Sequence, residues 1–563
     1  MSDAINTVIG HIIDVQGNLL IATLVEDEQG RTPTITIGDE DVLVGQLGSY
    51  VAVKQNDVHL IAIVTRIAEQ EALAAPTIET PGEDSARLPF AKRIVRLTPV
   101  GSVTADGLFE RGVSTYPTTG AEVHAISSND VAKMFDRFQS KGLDVGTLIS
   151  HPSLKVYLDP TNLFGRHSAI LGQTGAGKSW TVASLVQKTV AVMPKAHIII
   201  LDLHGEYCWK RADKQYFAFN DAIVRHVDAR ELEIPYWLMT YTELCDLLIE
   251  HGEREATNQT AFFRDCLLEG RQRENTTATP PLGLTRVTVD TPIYFSLEDI
   301  LTKVRTKNVE RVGNRQGPMF GDFDRFLMRI ESKLNDSRYD FLLKPKNRNT
   351  SASLSDMLRD FVGLGTKKVA VTVIDLSSVP FDVRPTVAAQ IGRLAFEFNY
   401  WNPEYRDFPL LLVCEEAHVY IPRAAESQFA GSRKSMERIA KEGRKYGVGL
   451  MVVSQRPHEV SETVLSQCGT FICLRITNPD DQSYVRSLVP ESEGDLVSVL
   501  AGLGRGEALV LGEAVPLPTR VQFYRPSPAP NSDDVDFYTK WKDGATDLNV
   551  DNIVKRWRSQ ERT

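Results

Sequence analysis

Short apolar runs broken by Gly, Asp and Asn fill the first quarter of the chain and predict strands at 7–15, 18–24, 33–37, 49–53 and 58–64. Further strand patterns lie at 93–97 and within 116–126. Closely spaced strands with polar turns predict a small β-barrel over 1–135. The acidic, Pro- and Ala-containing stretch 72–87 reads as a loop within it, and 131–138 as a short helix. After the lead-in 148–158 the pattern changes. The runs 169–171, 197–202, 369–376, 410–414, 449–454 and 470–474 are almost continuously apolar, as in strands buried on both faces of a parallel sheet. With helical patterns such as 386–400 between them, they predict a doubly wound α/β core.

The core pattern is interrupted. A short β-like passage, 215–219, ends near 227–228. From 236 to 365 apolar residues recur at helical spacing, as in Leu238, Tyr241, Leu244 and Leu248, or Phe262, Phe263, Cys266 and Leu267. Residues 322–334 form another amphipathic segment, and the polar run 269–281 lies between them. The chain therefore divides into a barrel (1–135), two parts of an α/β core (136–235 and 366–512), a helical insertion (236–365) and a C-terminal strand, linker and helical tail (513–563). A helix at 485–500 and a hairpin at 503–512, closed by 521–524, end the core.

Composition narrows the class without naming it. The 563 residues exceed one hydrophobic core, and 42% apolar with 24% charged residues describes an ordinary globular protein. A net charge of −10 gives no overall nucleic-acid signature, although an acidic exterior is compatible with a basic channel. The six cysteines form no Cys-x-x-Cys pair and lie mainly in apolar runs, which fits buried thiols in a reducing compartment. The N-terminus has no basic-then-apolar leader, and no apolar stretch reaches spanning length, so a cytoplasmic protein without a membrane partner is expected.

The chemistry centres on Gly172-Gln173-Thr174-Gly175-Ala176-Gly177-Lys178-Ser179, between an apolar strand and a helix pattern. This is the context of a phosphate-binding loop. Its glycines let backbone amides close around anionic oxygens, Lys178 reaches the β/γ-phosphates and Ser179 holds Mg²⁺. Trp180 extends the nucleotide-binding set by one residue. A second signal is Glu415-Glu416, where an apolar strand stops at two acids. Glu415 is expected to act through the metal shell and Glu416 to polarise the attacking water; a pair of surface acids is the alternative. His418 reads as structural. Gln455, just past another strand, is either a γ-phosphate sensor or a turn residue. Asp202 and Glu206 lie at the end of the second core strand; they are candidates for orienting the metal's water shell or for coupling DNA contact to the nucleotide site, with helix-start carboxylates as the alternative. Arg444 and Arg166 are candidates to neutralise transition-state charge, or else to make subunit salt bridges. The insertion's Arg271, Arg273, Lys303, Arg305 and Lys307 suit either DNA or partner contact or a solvated face.

Together these elements resemble the HerA family of hexameric DNA-translocating ATPases, related to the FtsK translocases. The resemblance rests on Arg166-His167-Ser168-Ala169-Ile170-Leu171 leading into the loop, Leu201-Asp202-Leu203-His204-Gly205-Glu206-Tyr207, Glu415-Glu416-Ala417-His418, Gly443-Arg444-Lys445-Tyr446-Gly447 and Ser454-Gln455-Arg456-Pro457. It implies an N-terminal HAS-type β-barrel, a RecA-like core carrying the helical insertion, and a C-terminal segment that crosses a subunit boundary. It further implies a homo-hexamer around double-stranded DNA, with ATP and Mg²⁺ as cofactors. In that family pattern Lys178 and Ser179 bind nucleotide and metal, Glu416 is catalytic, and Arg444 and Arg166 act across the interface. Glu415 replaces the commoner Asp, and its longer side chain changes the reach to a metal. The resemblance also implies a separate effector docked on the barrel, either a nuclease or a sirtuin-like NAD hydrolase of antiphage defence. A ring scaffold that controls such an effector, and a pump for protein substrates, are the competing functional classes.

Overall fold

The computed structural model describes residues 7–25, 34–37, 40–43, 45–55, 58–70, 92–104, 108–211, 214–220, 222–249, 256–424, 430–544 and 547–559. The expected loop at 72–87 lies outside them. Two compact units result: Met1–Lys188 with Gln455–His458 and Cys468–Arg525, and Thr189–Ser454 with Glu459–Gln467 and Pro526–Thr563.

The first unit begins with a closed barrel. Its wall runs Leu19–Leu24, Val8–Gln16, Glu122–Ala125, Tyr50–Gln55, Val58–Gln70 and Lys92–Val103, then returns to Leu19–Leu24 through Leu20↔Leu97 and Thr23↔Ile94. All of these pairings are antiparallel. Gln16 pairs with Leu19, so only Gly17 and Asn18 make the first turn, and Gly17 takes φ +55°. A two-residue hairpin turn favours that left-handed conformation. Alternate side chains fill the interior, among them Leu20, Ala22, Val53, Leu60, Val95, Leu97 and Val123. The expected strand near 33–37 appears as Thr34–Ile37, but it pairs with Glu40–Leu43 in a separate hairpin outside the wall. The short strand Phe109–Arg111, which the apolar pattern did not disclose, adds to Lys92–Val103.

The rest of this unit is a sheet ordered His151–Leu158, Leu143–Leu148, Thr519–Phe523, Glu507–Gly512, Thr470–Cys473 and Ser168–Leu171. Only the last pairing is parallel. The lead-in 148–158 is thus the second half of a hairpin. The helix Ser128–Gln139 starts earlier than its apolar pattern, because Ser127 Oγ accepts from Asp130 N at 3.1 Å and caps it. The expected helix 485–500 breaks into Pro479–Leu488, Glu491–Gly494 and a 3₁₀ segment Asp495–Gly502. Pro490, which lacks an N–H to donate, stands at the break.

The second unit holds an all-parallel sheet ordered Val448–Ser454, Leu410–Cys414, Ile198–Asp202, Val371–Asp375 and Val224–Asp228. Four of these strands are buried at every position, which explains their unbroken apolar sequences. Of the β-like passage ending near 227–228, only Val224–Asp228 joins this sheet; Lys214–Phe217 pairs with Cys208–Arg211 in a separate two-stranded hairpin. The insertion is helical at Tyr241–Leu248, Ala256–Thr277, Leu297–Asn308, Asp324–Asn335 and Ser353–Phe361. Most of the polar run 269–281 belongs to the long helix Ala256–Thr277.

Arg271 is not on a solvated or DNA-facing surface: it is 1% exposed. Its Nη2 donates to the carbonyls of Trp237 and Met239, each at 3.1 Å, and its guanidinium lies 5.3 Å from the Phe295 ring centre. Burial lowers its pKa to about 10. The other four insertion cations make ion pairs: Arg273 with Asp299, Lys303 with Glu269, Arg305 with Glu298 and Glu331, and Lys307 with Glu310. All six cysteines are free and buried. No helix among the described residues is long and apolar enough to cross a membrane.

Candidate functional site

The glycine loop connects Ser168–Leu171, buried throughout, to the helix Lys178–Val192. Gly175 and Gly177 have φ of +75° and +104°, which L side chains rarely adopt. A Cβ on Gly172 would lie 2.9 Å from Leu474 Cβ, so this position also needs glycine. Gln173 fixes the loop's entry: its N–H donates to Arg475 O at 2.9 Å, while its Oε1 accepts from Thr477 N at 3.1 Å and Thr477 Oγ1 at 2.6 Å. Ala176 accepts at its carbonyl from Gly506 N at 3.1 Å, which ties the loop to the strand pair that follows.

Lys178 is buried, with Nζ donating to Gln173 O at 3.4 Å. This long bond leaves the ammonium poised over the loop rather than locked into it. Ser179 and Trp180 lie in the first helical turn and are partly exposed. Thr174 Oγ1 donates to Gln455 Oε1 at 2.6 Å. The sensor candidate and the loop are therefore in direct contact, although they are 281 positions apart. Arg166 pairs with Glu513 in the same unit.

In the second unit, three acids lie at the carboxyl ends of neighbouring parallel strands. Asp202 is 1% exposed. Its Oδ1 accepts from the backbone N–H groups of His204, Gly205 and Glu206 at 3.3, 2.8 and 3.1 Å, and its Oδ2 from Tyr207 at 2.9 Å. Burial raises its pKa to about 6; the turn amides oppose that shift, while Asp375 and Glu206 add to it. The carboxylate organises the turn after its strand.

Glu415 is 5% exposed and accepts a hydrogen bond from the Tyr207 hydroxyl. Burial raises its pKa to about 8; the Tyr207 bond opposes the shift, and Glu206, Glu416 and Asp202 add to it. Glu416 follows in a left-handed conformation, φ 46° and ψ 46°, an unfavourable state for a residue with a Cβ. Its Oε2 lies 3.4 Å from His418 Nδ1, and that nitrogen lies 3.3 Å from Ser454 Oγ. His418 thus connects the second acid to the end of the strand Val448–Ser454. Arg444 is exposed on the 3₁₀ turn Gly443–Tyr446 and makes no ion pair among the described residues.

Sequence reasoning assigned no role to Tyr207, Thr174 as a partner of Gln455, or His418 as a partner of Glu416. Tyr207 lies inside the quoted stretch Leu201–Tyr207, so its identity was visible, but its partner is 208 positions away.

A glycine loop of this conformation, opening a helix after a buried strand, defines a P-loop nucleotide-hydrolase type of ATPase. Two family models match the chain: "Helicase HerA, central domain" over residues 143–395 and "Helicase HerA-like C-terminal" over residues 403–532. Together they take up more than half of it. The DNA double-strand break repair helicase HerA of Pyrococcus furiosus is 29% identical over 72% of this chain and 74% of that protein. The protein of the same name from Sulfolobus acidocaldarius is 27% identical over 78% and 80%. That from Saccharolobus solfataricus is 26% identical over 76% and 77%. The chain belongs to the HerA family and is a helicase-type ATPase.

Proposed function

We propose that this chain forms a homo-hexameric ring with a RecA-like core that hydrolyses ATP to translocate on, or unwind, double-stranded DNA. It works with a separate effector, a nuclease or a sirtuin-like NAD hydrolase, for which the HAS-type barrel is the docking domain. The observation that carries this reading is the phosphate loop, with Gly175 and Gly177 in the left-handed region and Gln455 held against Thr174. The matched family models and the DNA-repair helicase relatives support the choice of DNA as the track.

In this reading Gly172 to Gly177 wrap the phosphates, Lys178 neutralises the β/γ-phosphates and Gln455 senses the γ-phosphate. Glu416 polarises the attacking water, and Arg444 and Arg166 act across the subunit boundary. Arg166 has to leave Glu513 to do so. Mg²⁺ fits the hydroxyl of Ser179 at the start of the loop helix. The lone pairs of Asp202 are engaged by turn amides and Glu415 is bonded by Tyr207, so both suit the metal's water shell better than direct ligation. The metal supplies charge neutralisation of the triphosphate.

ATP hydrolysis by the purified full-length protein tests the reading, with and without linear duplex DNA at low salt, where phosphate contacts are strongest. Hydrolysis stimulated by duplex and lost in Lys178→Ala is expected. DNA-independent hydrolysis, with nucleotide-dependent activation of a co-purified effector, would replace the motor by a ring scaffold.

A further inference from the structure

Gln455 meets the phosphate loop from a short arm, Gln455-Arg456-Pro457-His458, that belongs to the first unit. A side chain that reads a γ-phosphate must be held to a fraction of an ångström, and an arm outside a sheet lacks the ladder bonds that would hold it. Two features restrain this arm. Pro457 is buried, and its ring fixes φ. The far end is anchored by one side chain: Asp481 Oδ1 accepts from His458 N at 3.3 Å and lies 2.7 Å from His458 Nδ1. Asp481 is 6% exposed.

Asp481 sits in the first turn of the helix Pro479–Leu488. Asn478 caps that helix, its Oδ1 accepting from Asp480 N at 2.8 Å and from Asp481 N at 3.4 Å. Thr477, just before the cap, holds Gln173 Oε1 of the phosphate loop with both its N–H and its hydroxyl. Thr477 and Asp481 thus tie two walls of the phosphate site to one helix start. The first holds the loop and the second holds the arm that carries Gln455, and Thr174 Oγ1 donates to Gln455 Oε1 at 2.6 Å across the gap. Asp480 provides an internal comparison. The helix dipole favours an acid in the first turn wherever its side chain points. Asp480 is exposed and makes no ion pair among the described residues, so it meets that need alone. Burying a second carboxylate is costly unless it is bonded, and the bonds of Asp481 Oδ1 go to the sensor arm. A helix start does not require them.

We propose that Asp481 is a positioning residue for ATP hydrolysis, which through His458 holds the Gln455 amide against the phosphate loop in register for the γ-phosphate. The proposal rests on the ATPase reading and adds to it a residue that acts without touching nucleotide or metal. The start of the helix Pro479–Leu488 then sets the spacing between the phosphate cradle and its sensor.

Steady-state ATP hydrolysis by the full-length protein, with calorimetric titration of Mg-ATP, tests this. Asp481→Ala is expected to lower kcat about tenfold, while KM and Mg-ATP affinity stay within about twofold. Asp481→Asn, which keeps the Oδ1 acceptor, is expected to recover most of that loss, and Asp480→Ala to leave kcat within about twofold. On a Gln455→Ala background, where kcat is already low, Asp481→Ala is expected to add less than about twofold, because the two residues act as one unit. A loss multiplied in full on that background would overturn the positioning role and leave the ATPase reading standing. So would a loss of Mg-ATP affinity in place of kcat, an equal loss in Asp480→Ala, or an unchanged kcat in Asp481→Ala. An unaltered protein that hydrolyses no ATP would overturn both.

Discussion

The glycine loop and the acid-bearing strand ends handle charge in opposite ways. In the loop, Thr174 and Gly175 are exposed, and recognition falls to backbone amides, one lysine and the first helical turn. At the strand ends, Asp202 and Glu415 are buried with their lone pairs engaged, and burial raises both pKa values. A phosphate cradle can be specified by a few consecutive residues, because left-handed glycines and a helix start are local properties. A buried acid is specified by everything packed around it. The first region should therefore respond to substitution mainly through binding, and the second through turnover and stability.

The largest expected effect tests that division directly. Lys178→Ala and Glu416→Gln should each reduce ATP hydrolysis at least about a hundredfold, the scale of losing one charge-stabilising group. Filter binding should show Mg-ATP affinity lost only in Lys178→Ala. If Glu416→Gln lost binding to the same degree, the two regions would not differ in the way described. Removing the Tyr207 hydroxyl is the next test. Tyr207→Phe leaves Glu415 without its donor in a buried setting, so unfolding free energy should fall by about 1–3 kcal/mol. Denaturant titration measures this, and tripolyphosphate affinity should stay within about twofold.

The smallest effect concerns His226, beside Asp375 at 3.5 Å on the adjacent strand. Burial lowers its pKa, but the bonds to Asp375 and Cys208 outweigh that and raise it to about 10. Asp375 shifts down in return: burial would raise it, but hydrogen bonds from His226 and Ser377 prevail. Because the folded pKa of His226 is raised, its stabilisation is complete below about pH 6.5 and is lost as pH rises through about 10. His226→Asn should therefore lower the thermal midpoint at pH 6, by on the order of 1 kcal/mol in stability, and the gap should narrow at pH 10. A gap independent of pH would mean that packing, not charge, is what His226 supplies.

The same contrast governs what could be read without coordinates. Most barrel-wall strands, the four fully buried parallel strands of the second unit and the glycine loop follow local patterns that the backbone obeys, so their positions were legible within a few residues. The short edge strand Val224–Asp228 was only half legible, because its burial pattern alternates unevenly. Arg271 was misread because a charged residue in a polar run gives no sign of an aromatic ring and two carbonyls waiting for it. The Thr174–Gln455, Tyr207–Glu415 and His418–Glu416 contacts could not be read for the same reason. Two of the three join residues more than two hundred positions apart, and the third requires the left-handed turn at Glu416.

The closure of the barrel constrains how other molecules can meet it. With Leu20 to Thr23 paired to Ile94 to Leu97, the wall has no open seam there for an incoming strand to extend. Recognition by strand addition is thus unavailable along that face, since its amides and carbonyls are already paired. A protein that approaches it must read side chains, with exposed Ile13 and Ile67 among those on offer. Selectivity at that wall can consequently change by surface substitution alone, without altering the hydrogen-bonded frame beneath it.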